Sequence, residues 1–171
     1  MLCKVNSVNR VIILCGDINE EMYSFFELQA CKLEATSDAP IKISLNSQGG
    51  NPGDALAIAG RIKSSNHEYH INVFGACQSA ALAIIAVCTI RRASRYALFM
   101  HHETSYTIKS ETTSKHETHL KVERLHEKVF NTLLADHSDR TELWWTDVCR
   151  KKDVWITPAQ CLKIKLIDEI I

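Results

Sequence analysis

The sequence predicts an α/β fold with a mainly parallel sheet, and two observations carry the prediction. Short apolar runs typical of buried strands alternate with longer segments whose apolar residues recur at helical spacing. Each predicted strand in the first hundred residues is followed by a predicted helix or turn, which is the order of βαβ units. With 171 residues and a hydrophobic fraction of 46%, the chain is expected to form one domain spanning residues 1–171.

The individual elements follow from these patterns. The predicted strands lie at residues 10–14, 41–45, 70–74, 95–100 and 166–170. The predicted helices lie at residues 20–32, 53–63, 80–87, 115–137, 142–150 and 159–165. Two of these helices begin after an N-cap residue followed by proline, at Asn51-Pro52 and at Thr157-Pro158.

The longest predicted helix, 115–137, follows a polar segment at 103–114, which is expected to be a loop or a frayed helix start. The helix is amphipathic, and one apolar stripe on it consists of Val122, Leu125, Val129 and Leu133. A helix of this length gains little from propensity alone, so the stripe is expected to need a packing partner.

Composition narrows the class of protein. The 20 basic and 20 acidic residues cancel, so no nucleic-acid or membrane partner is expected. The cysteines at 3, 15, 31, 77, 88, 149 and 161 form no C-x-x-C pair, which indicates free thiols in a reducing cytoplasm. The first residues lack the apolar core of a signal peptide, and the apolar run 80–88 is too short to span a bilayer.

Three unusual segments follow predicted strands: Gly49-Gly50, residues 75–79, and Met100-His101-His102. Parallel α/β sheets bind ligands at the carboxyl ends of their strands, so these segments are expected to meet at one site. Ser79 in the second segment has two interpretations. It is either the N-cap of the helix 80–87 or a nucleophile at a strand-to-helix turn.

A serine nucleophile needs a base, a group that orients the base, and donors for the oxyanion. His101 and His102 are the candidate bases. The backbone N–H groups of Gly50 and Ala80 are candidate oxyanion donors. The orienting carboxylate is Asp153, Asp147 or Asp168, and composition leaves that choice open.

Two alternatives to this chemistry are less favoured. Cys77 is a weaker candidate nucleophile, because buried cysteines are mostly packing residues. The histidine pairs His67/His70 and His116/His119 lack an evident third ligand, so no metal and no other cofactor are expected.

Several segments, in order, resemble the proteolytic subunit of the Clp protease (the ClpP family). They are residues 10–16 (RVIILCG), 43–50 (ISLNSQGG), 75–81 (GACQSAA), 100–103 (MHHE), 131–137 (NTLLADH), 152–157 (KDVWIT) and 166–168 (LID). The resemblance implies a crotonase-like ββα-superhelix with a protruding handle helix, the handle region covering about residues 103–137. It also implies a serine endopeptidase that cleaves peptides or unfolded proteins.

Carried over residue by residue, the resemblance makes Ser79 the nucleophile, His102 the base and Asp153 the residue that orients it. Gly50 and Ala80 would supply the oxyanion hole. His101, one position earlier, is the alternative base.

The resemblance further implies homo-oligomeric, heptameric rings that can stack through their handles. An ATP-dependent unfoldase is a candidate partner, although the segment of about nine residues before Arg10 is shorter than the family's axial loop. Gln48, Cys77, Gln78 and Ala81 depart from the family pattern, and the side chains of Gln78 and Ala81 are expected to crowd the site and to reduce activity or alter specificity.

Two other functions are therefore kept open. The first is a noncatalytic or weakly active ring subunit that modulates an active partner. The second is an acyl-CoA-handling crotonase relative, against which the Ser-His-Asp set argues.

Overall fold

The structure, a computed structural model, describes residues 3–103, 113–150 and 152–171, and it has the predicted α/β architecture. Within these residues eight strands form one sheet: β1 (Lys4–Asn6), β2 (Val11–Cys15), β3 (Ile41–Ser47), β4 (Tyr69–Gln78), β5 (Ile90–Ala93), β6 (Leu98–His101), β7 (Val154–Ile156) and β8 (Glu169–Ile170). The strands β1, β2, β3, β4, β5 and β8 lie side by side in that order. Strand β6 pairs with the end of β4 and with β7. The pairs β1–β2 and β6–β7 are antiparallel and the others are parallel, so the predicted sheet is confirmed.

The helices of the described residues are α1 (Glu20–Glu34), α2 (Pro52–Ser64), α3 (Ala81–Ala86), α4 (Thr113–Asp136), α5 (Glu142–Val148) and α6 (Pro158–Lys163). Both predicted N-caps are confirmed: Asn51 accepts a hydrogen bond from the Asp54 N–H, and Thr157 forms a capping box with Gln160. In the part of the chain that the structure describes, no helix has the length and apolarity required to cross a bilayer.

The sequence-based prediction missed three short strands, β1, β5 and β7, and placed one strand at 95–100 where a turn leads into β6. Strand β5 was not predicted because Arg91 and Arg92 interrupt its apolar pattern. In the structure these two side chains form ion pairs with Asp168 and Glu169 beside β8. Strand β5 thus pairs with both β4 and β8 although its sequence has no apolar signature.

The core lies between the central strands and the helices packed on them. Strand residues alternate between buried and partly exposed positions, as in β2 and β3. All six residues of α3 are buried, so the helix that follows Ser79 is anchored on every side. The turn that carries Ser79 is therefore fixed to the core through α3.

Helix α4 begins two residues before its predicted start and ends one residue earlier than predicted. The predicted polar loop falls mostly on residues 104–112, which lie outside the described residues. Phe130 and Leu134 of α4 are buried in the core, whereas Val122, Leu125 and Val129 are 41%, 54% and 51% exposed. Most of the predicted apolar stripe thus lacks cover within the described part of the chain.

A network of charged and polar groups joins α1, α2 and β4 at the other end of the sheet. Arg61 donates to both Glu27 and Glu34, and the Glu34 carboxylate also accepts from Ser65 and from the Tyr69 hydroxyl at 2.8 Å. Burial alone would raise the pKa of Glu34, but these hydrogen bonds outweigh it and hold the pKa at about 2. The carboxylate therefore stabilises the fold in its charged form.

We expect Glu34→Gln to lower the free energy of unfolding at pH 7 by about 2 kcal/mol, because the charge-assisted hydrogen bonds are lost. The folded-state pKa lies below the unfolded value of 4.5. The contribution is therefore present above pH 4.5 and disappears as the pH falls toward 2. Urea unfolding across this range should show wild type and variant converging at low pH. Glu21→Gln, at an exposed position of the same helix, is the matched control and should shift stability little.

Candidate active site

Ser79 occupies the turn between β4 and α3, in a conformation unusual for a non-glycine residue. Its φ angle is 51°, in the sparsely populated left-handed region. Its N–H donates to the Met100 carbonyl at 2.8 Å, which fixes the turn against β6. The N-cap of α3 is Ala80, which makes no side-chain capping bond. The interpretation of Ser79 as a helix cap is therefore wrong.

The Ser79 hydroxyl instead faces a histidine. Its Oγ lies 2.7 Å from Nε2 of His102, the residue immediately after β6. Strands β4 and β6 are parallel neighbours, with Gln78 beside Met100, and this register brings the residues beyond their ends together. A neutral imidazole with its proton on Nδ1 accepts the hydroxyl hydrogen at Nε2, which is the contact that general-base activation requires.

His101, the alternative base, lies in the core. It is only 3% exposed. Its ring stacks on Phe130 at a centroid distance of 5.8 Å and meets the edge of Trp145 at 5.3 Å. Burial lowers the pKa of His101 to about 4. The structure thus brings His102, and not His101, to the Ser79 hydroxyl.

The pairing of β6 with β7 relates the position of Asp153 to that of His102. Met100 faces Trp155 and His101 faces Val154, so the next step of the same register places Asp153 opposite His102. Side chains at such opposed positions have Cβ atoms about 5 Å apart. Asp153 is exposed, and no hydrogen bond joins it to His102 among the described residues.

The other two candidate carboxylates are placed elsewhere. Asp168 accepts from the backbone N–H and the guanidinium of Arg91, which together lower its pKa despite the opposing effect of burial. Asp147 is exposed and lies 3.8 Å from Arg150. Of the three, Asp153 is the one that the sheet register brings to His102.

The Gly49-Gly50 turn packs against the serine, and both positions need glycine. The φ angles are 102° and 144°, a region that L side chains rarely adopt. A Cβ on Gly49 would lie 2.8 Å from the Ser79 Cβ, and one on Gly50 would lie 2.3 Å from the Ile18 carbonyl oxygen. Only a bare backbone lets the turn approach Ser79 this closely.

The same turn presents an unused donor. Hydrogen bonds from the Ile18 N–H to Gly49 O and from the Asn51 N–H to Ile18 O, both 2.8 Å, hold it in place. Within the described residues, neither the Gly50 N–H nor the Ala80 N–H donates a hydrogen bond to the protein. Two unused N–H groups beside a hydroxyl can stabilise a developing oxyanion.

A cavity of about 320 Å³ opens at this point. Ser79, Ala80, His102 and Gly50 line it, and one face of α4 forms a wall of the same cavity. None of the site residues expected from the sequence lies on that wall. The lining residues on α4 are Glu123, His126, Glu127, Phe130 and Asn131.

The α4 residues that line the cavity are three or four positions apart in the sequence. This spacing was the available signal, since such positions share one side of a helix.

Among the departures from the family pattern, Gln48 lines the cavity. Ala81 is buried inside α3, and Gln78 pairs with Met100 in the sheet.

Cys77 is poorly suited to replace Ser79 as nucleophile. Its side chain is completely buried, and burial raises the pKa of the thiol well above its ordinary value. Among the described residues no group of three or more His, Cys, Asp or Glu side chains is arranged to hold a metal ion.

The sequence model of the Clp protease family matches residues 3–171, nearly the whole chain. The chain belongs to the Clp protease family. Its fold is similar to that of a mutant of ClpP1 from Listeria monocytogenes, with a TM-score of 0.87 and 22% identical residues. The match covers 96% of this chain and 92% of that chain. At this identity the likeness concerns the fold, and it confirms the predicted ClpP-like architecture.

Proposed function

We propose that this chain is a serine endopeptidase that cleaves peptides or unfolded proteins. The observation that carries the proposal is the 2.7 Å contact between Ser79 Oγ and His102 Nε2, at the end of a cavity beside two unused backbone donors. Membership in the Clp protease family supports the same reaction class. Neither a metal nor another cofactor has a part in the proposed chemistry.

In the proposed mechanism His102 takes the hydroxyl proton at Nε2 as Ser79 Oγ attacks the scissile carbonyl carbon. The negative charge that develops on the carbonyl oxygen is stabilised by the Gly50 and Ala80 N–H groups. His102 then gives its proton to the leaving amine, which departs and leaves an acyl-enzyme. Water, deprotonated by the same imidazole, hydrolyses the ester and restores Ser79.

Asp153 is proposed to orient His102 by accepting the Nδ1 proton. The register of β6 and β7 supports this role, and forming the bond requires the exposed Asp153 side chain to turn toward its neighbour. The proposed active form therefore differs from the present one by a local adjustment at the start of β7. A contact from another subunit that orders this segment would favour it.

We further propose that the chain acts as one peptidase domain in cytoplasmic, heptameric rings, with the handle region at about 103–137 joining stacked rings. The support is the uncovered apolar stripe on α4, since Val122, Leu125 and Val129 remain largely exposed. A contiguous exposed apolar surface of this kind is typical of an interface. An ATP-dependent unfoldase stays a candidate partner.

Glutamate at Val122, Leu125 and Val129 together is expected to reduce the assembly to single rings or monomers, because unpaired charges buried at an interface are costly. Light scattering should show the lower mass, and peptidase activity should fall with it. Val8→Glu, at an exposed position outside α4, is the control and should leave both unchanged. A wild-type protein that is monomeric and fully active would contradict the proposed assembly.

One observation favours the second candidate function, a noncatalytic or weakly active ring subunit. Asp153 makes no hydrogen bond with His102 among the described residues, so the triad is incomplete as it stands. Incubation with casein, an unfolded protein, followed by mass spectrometry of the products distinguishes the two functions. Peptides that wild type releases and Ser79→Ala does not would support the peptidase; intact casein with normal rings would favour the noncatalytic subunit.

A further inference from the structure

The α4 wall of the cavity has an unusual charge for a surface that receives a peptide. Glu123 and Glu127 lie one turn apart on it, and Phe130 continues the same face toward the core. Both glutamates are half-buried. The wall therefore combines an apolar ring with two carboxylates, in the same cavity as the hydroxyl that is proposed to react.

These carboxylates share the α4 wall with His126, whose Nδ1 has no hydrogen-bond partner among the described residues. Neither Glu123 nor Glu127 forms an ion pair or hydrogen bond with another described residue, and the basic residues Lys121, Arg124 and Lys128 line a separate depression on α4. Burial raises the pKa of Glu127, and the charge of Glu103 raises it further. Both effects disfavour the charged form of Glu127, and a cation bound beside it would stabilise that form.

A buried amide gives an independent indication of a ligand. Asn131 is 1% exposed and lines the cavity, yet its Oδ1 has no hydrogen-bond partner. Its orientation is set by Thr146, whose hydroxyl donates to the Glu142 carbonyl at 3.0 Å and therefore accepts from Asn131 Nδ2 at 3.2 Å. The Asn131 Oδ1 atom, which can only accept hydrogen bonds, consequently points away from Thr146.

His101 lies on the same wall, and its ring nitrogens face the Trp145 backbone and the Asn131 side chain without a well-aligned hydrogen bond. Its ring is a neighbour of Asn131, but their geometry is not that of a hydrogen bond. Buried polar atoms without partners are unfavourable. A ligand rich in N–H donors would satisfy the acceptors here and would pair with the carboxylates.

We propose that this cavity binds the side chain of a lysine or arginine, at the substrate residue that contributes the scissile carbonyl. The inference rests on the proposed peptidase function, because it places that carbonyl carbon at Ser79 and its oxygen at Gly50 and Ala80. The adjoining side chain then enters the cavity. Its methylene stem packs on Phe130, and its charged end reaches the carboxylates of α4.

The first test compares kcat/KM for fluorogenic peptides that differ only at the residue before the cleaved bond: arginine, lysine, leucine or glutamate. We expect the arginine peptide to exceed the leucine peptide by about tenfold or more. Glu127→Gln and Glu123→Gln should each lower the arginine-to-leucine ratio. Glu117→Gln, an exposed position on α4 outside the cavity, should leave the ratio unchanged.

The second test reports on the cavity without catalysis. Calorimetry with Ser79→Ala protein should show that benzamidine, a small cation, binds more tightly than neutral benzamide. Adding Glu127→Gln should remove this difference. Equal affinities, or leucine peptides cleaved best with no effect of the glutamine variants, overturn the inference and leave the peptidase proposal standing. Selective benzamidine binding without hydrolysis of any peptide would support the cation site and overturn the peptidase proposal. No hydrolysis together with equal affinities for benzamidine and benzamide would overturn both proposals.

Discussion

Ser79→Ala is expected to lower peptide hydrolysis by about 10⁴-fold or more, which is the usual consequence of removing the nucleophile of a serine hydrolase. The reason is local. The Ser79 hydroxyl is the group in contact with His102 Nε2, and its removal deletes the covalent step. The side chain caps no helix, so the variant should keep its fold, its assembly and its melting temperature.

Cys77→Ala is the control for this prediction. The Cys77 thiol is fully buried and its pKa is raised by burial, so the variant should lose some stability through the smaller side chain but keep most of its activity. An inactive Cys77→Ala together with an active Ser79→Ala would make the thiol the nucleophile and overturn the mechanism.

His102→Ala is expected to cost nearly as much activity as Ser79→Ala, because nucleophile and base act as one unit. For the same reason the double variant Ser79→Ala/His102→Ala should be no worse than either single one. Steady-state kinetics on one fluorogenic peptide measures all three. Losses that add in free energy would show that the two side chains do not cooperate.

His101→Asn separates the two adjacent histidines. Because the His101 ring packs on Phe130 and Trp145, its replacement should lower the melting temperature, whereas His102→Ala should not. The folded protein should nevertheless remain far more active than His102→Ala. A stable, inactive His101 variant beside an active His102→Ala would transfer the role of base to His101.

The fold was predictable where the apolar pattern was regular. Strands β2, β3 and β4 alternate between core and solvent, and Asn51 and Thr157 mark helix starts by capping chemistry that acts locally. Strand β5 was missed because Arg91 and Arg92 depend on carboxylates 77 residues away for their pairing. Such a contact exists only in three dimensions and has no local signature.

The candidate site was predictable in part, from the order of the strands. The order of strands implied that Gly50, Ser79 and the histidines would meet, since the carboxyl ends of parallel strands share one edge. The choice between cap and nucleophile depended on the φ angle of Ser79, which sequence does not reveal. The choice between His101 and His102 depended on which face of β6 turns to the core.

The spacing of the α4 wall residues places them on one side of the helix, but it does not show which side of the helix faces the site. Val122, Leu125 and Val129 form the stripe that stands out in the sequence, yet they are the exposed positions. Glu123 and Glu127, which look like ordinary surface residues, face the cavity instead. Only the docking of α4 on the rest of the domain decides which face lines the site.

The most direct measurement of the central claim is fluorophosphonate labelling of the purified protein, followed by mass spectrometry of its peptides. These reagents react with a serine that a neighbouring base activates. We expect one adduct, on Ser79, that forms slowly or not at all in His102→Ala and forms normally in Cys77→Ala. The absence of an adduct on Ser79, or labelling that is equally fast without His102, would contradict the assignment of Ser79 and His102 as nucleophile and base.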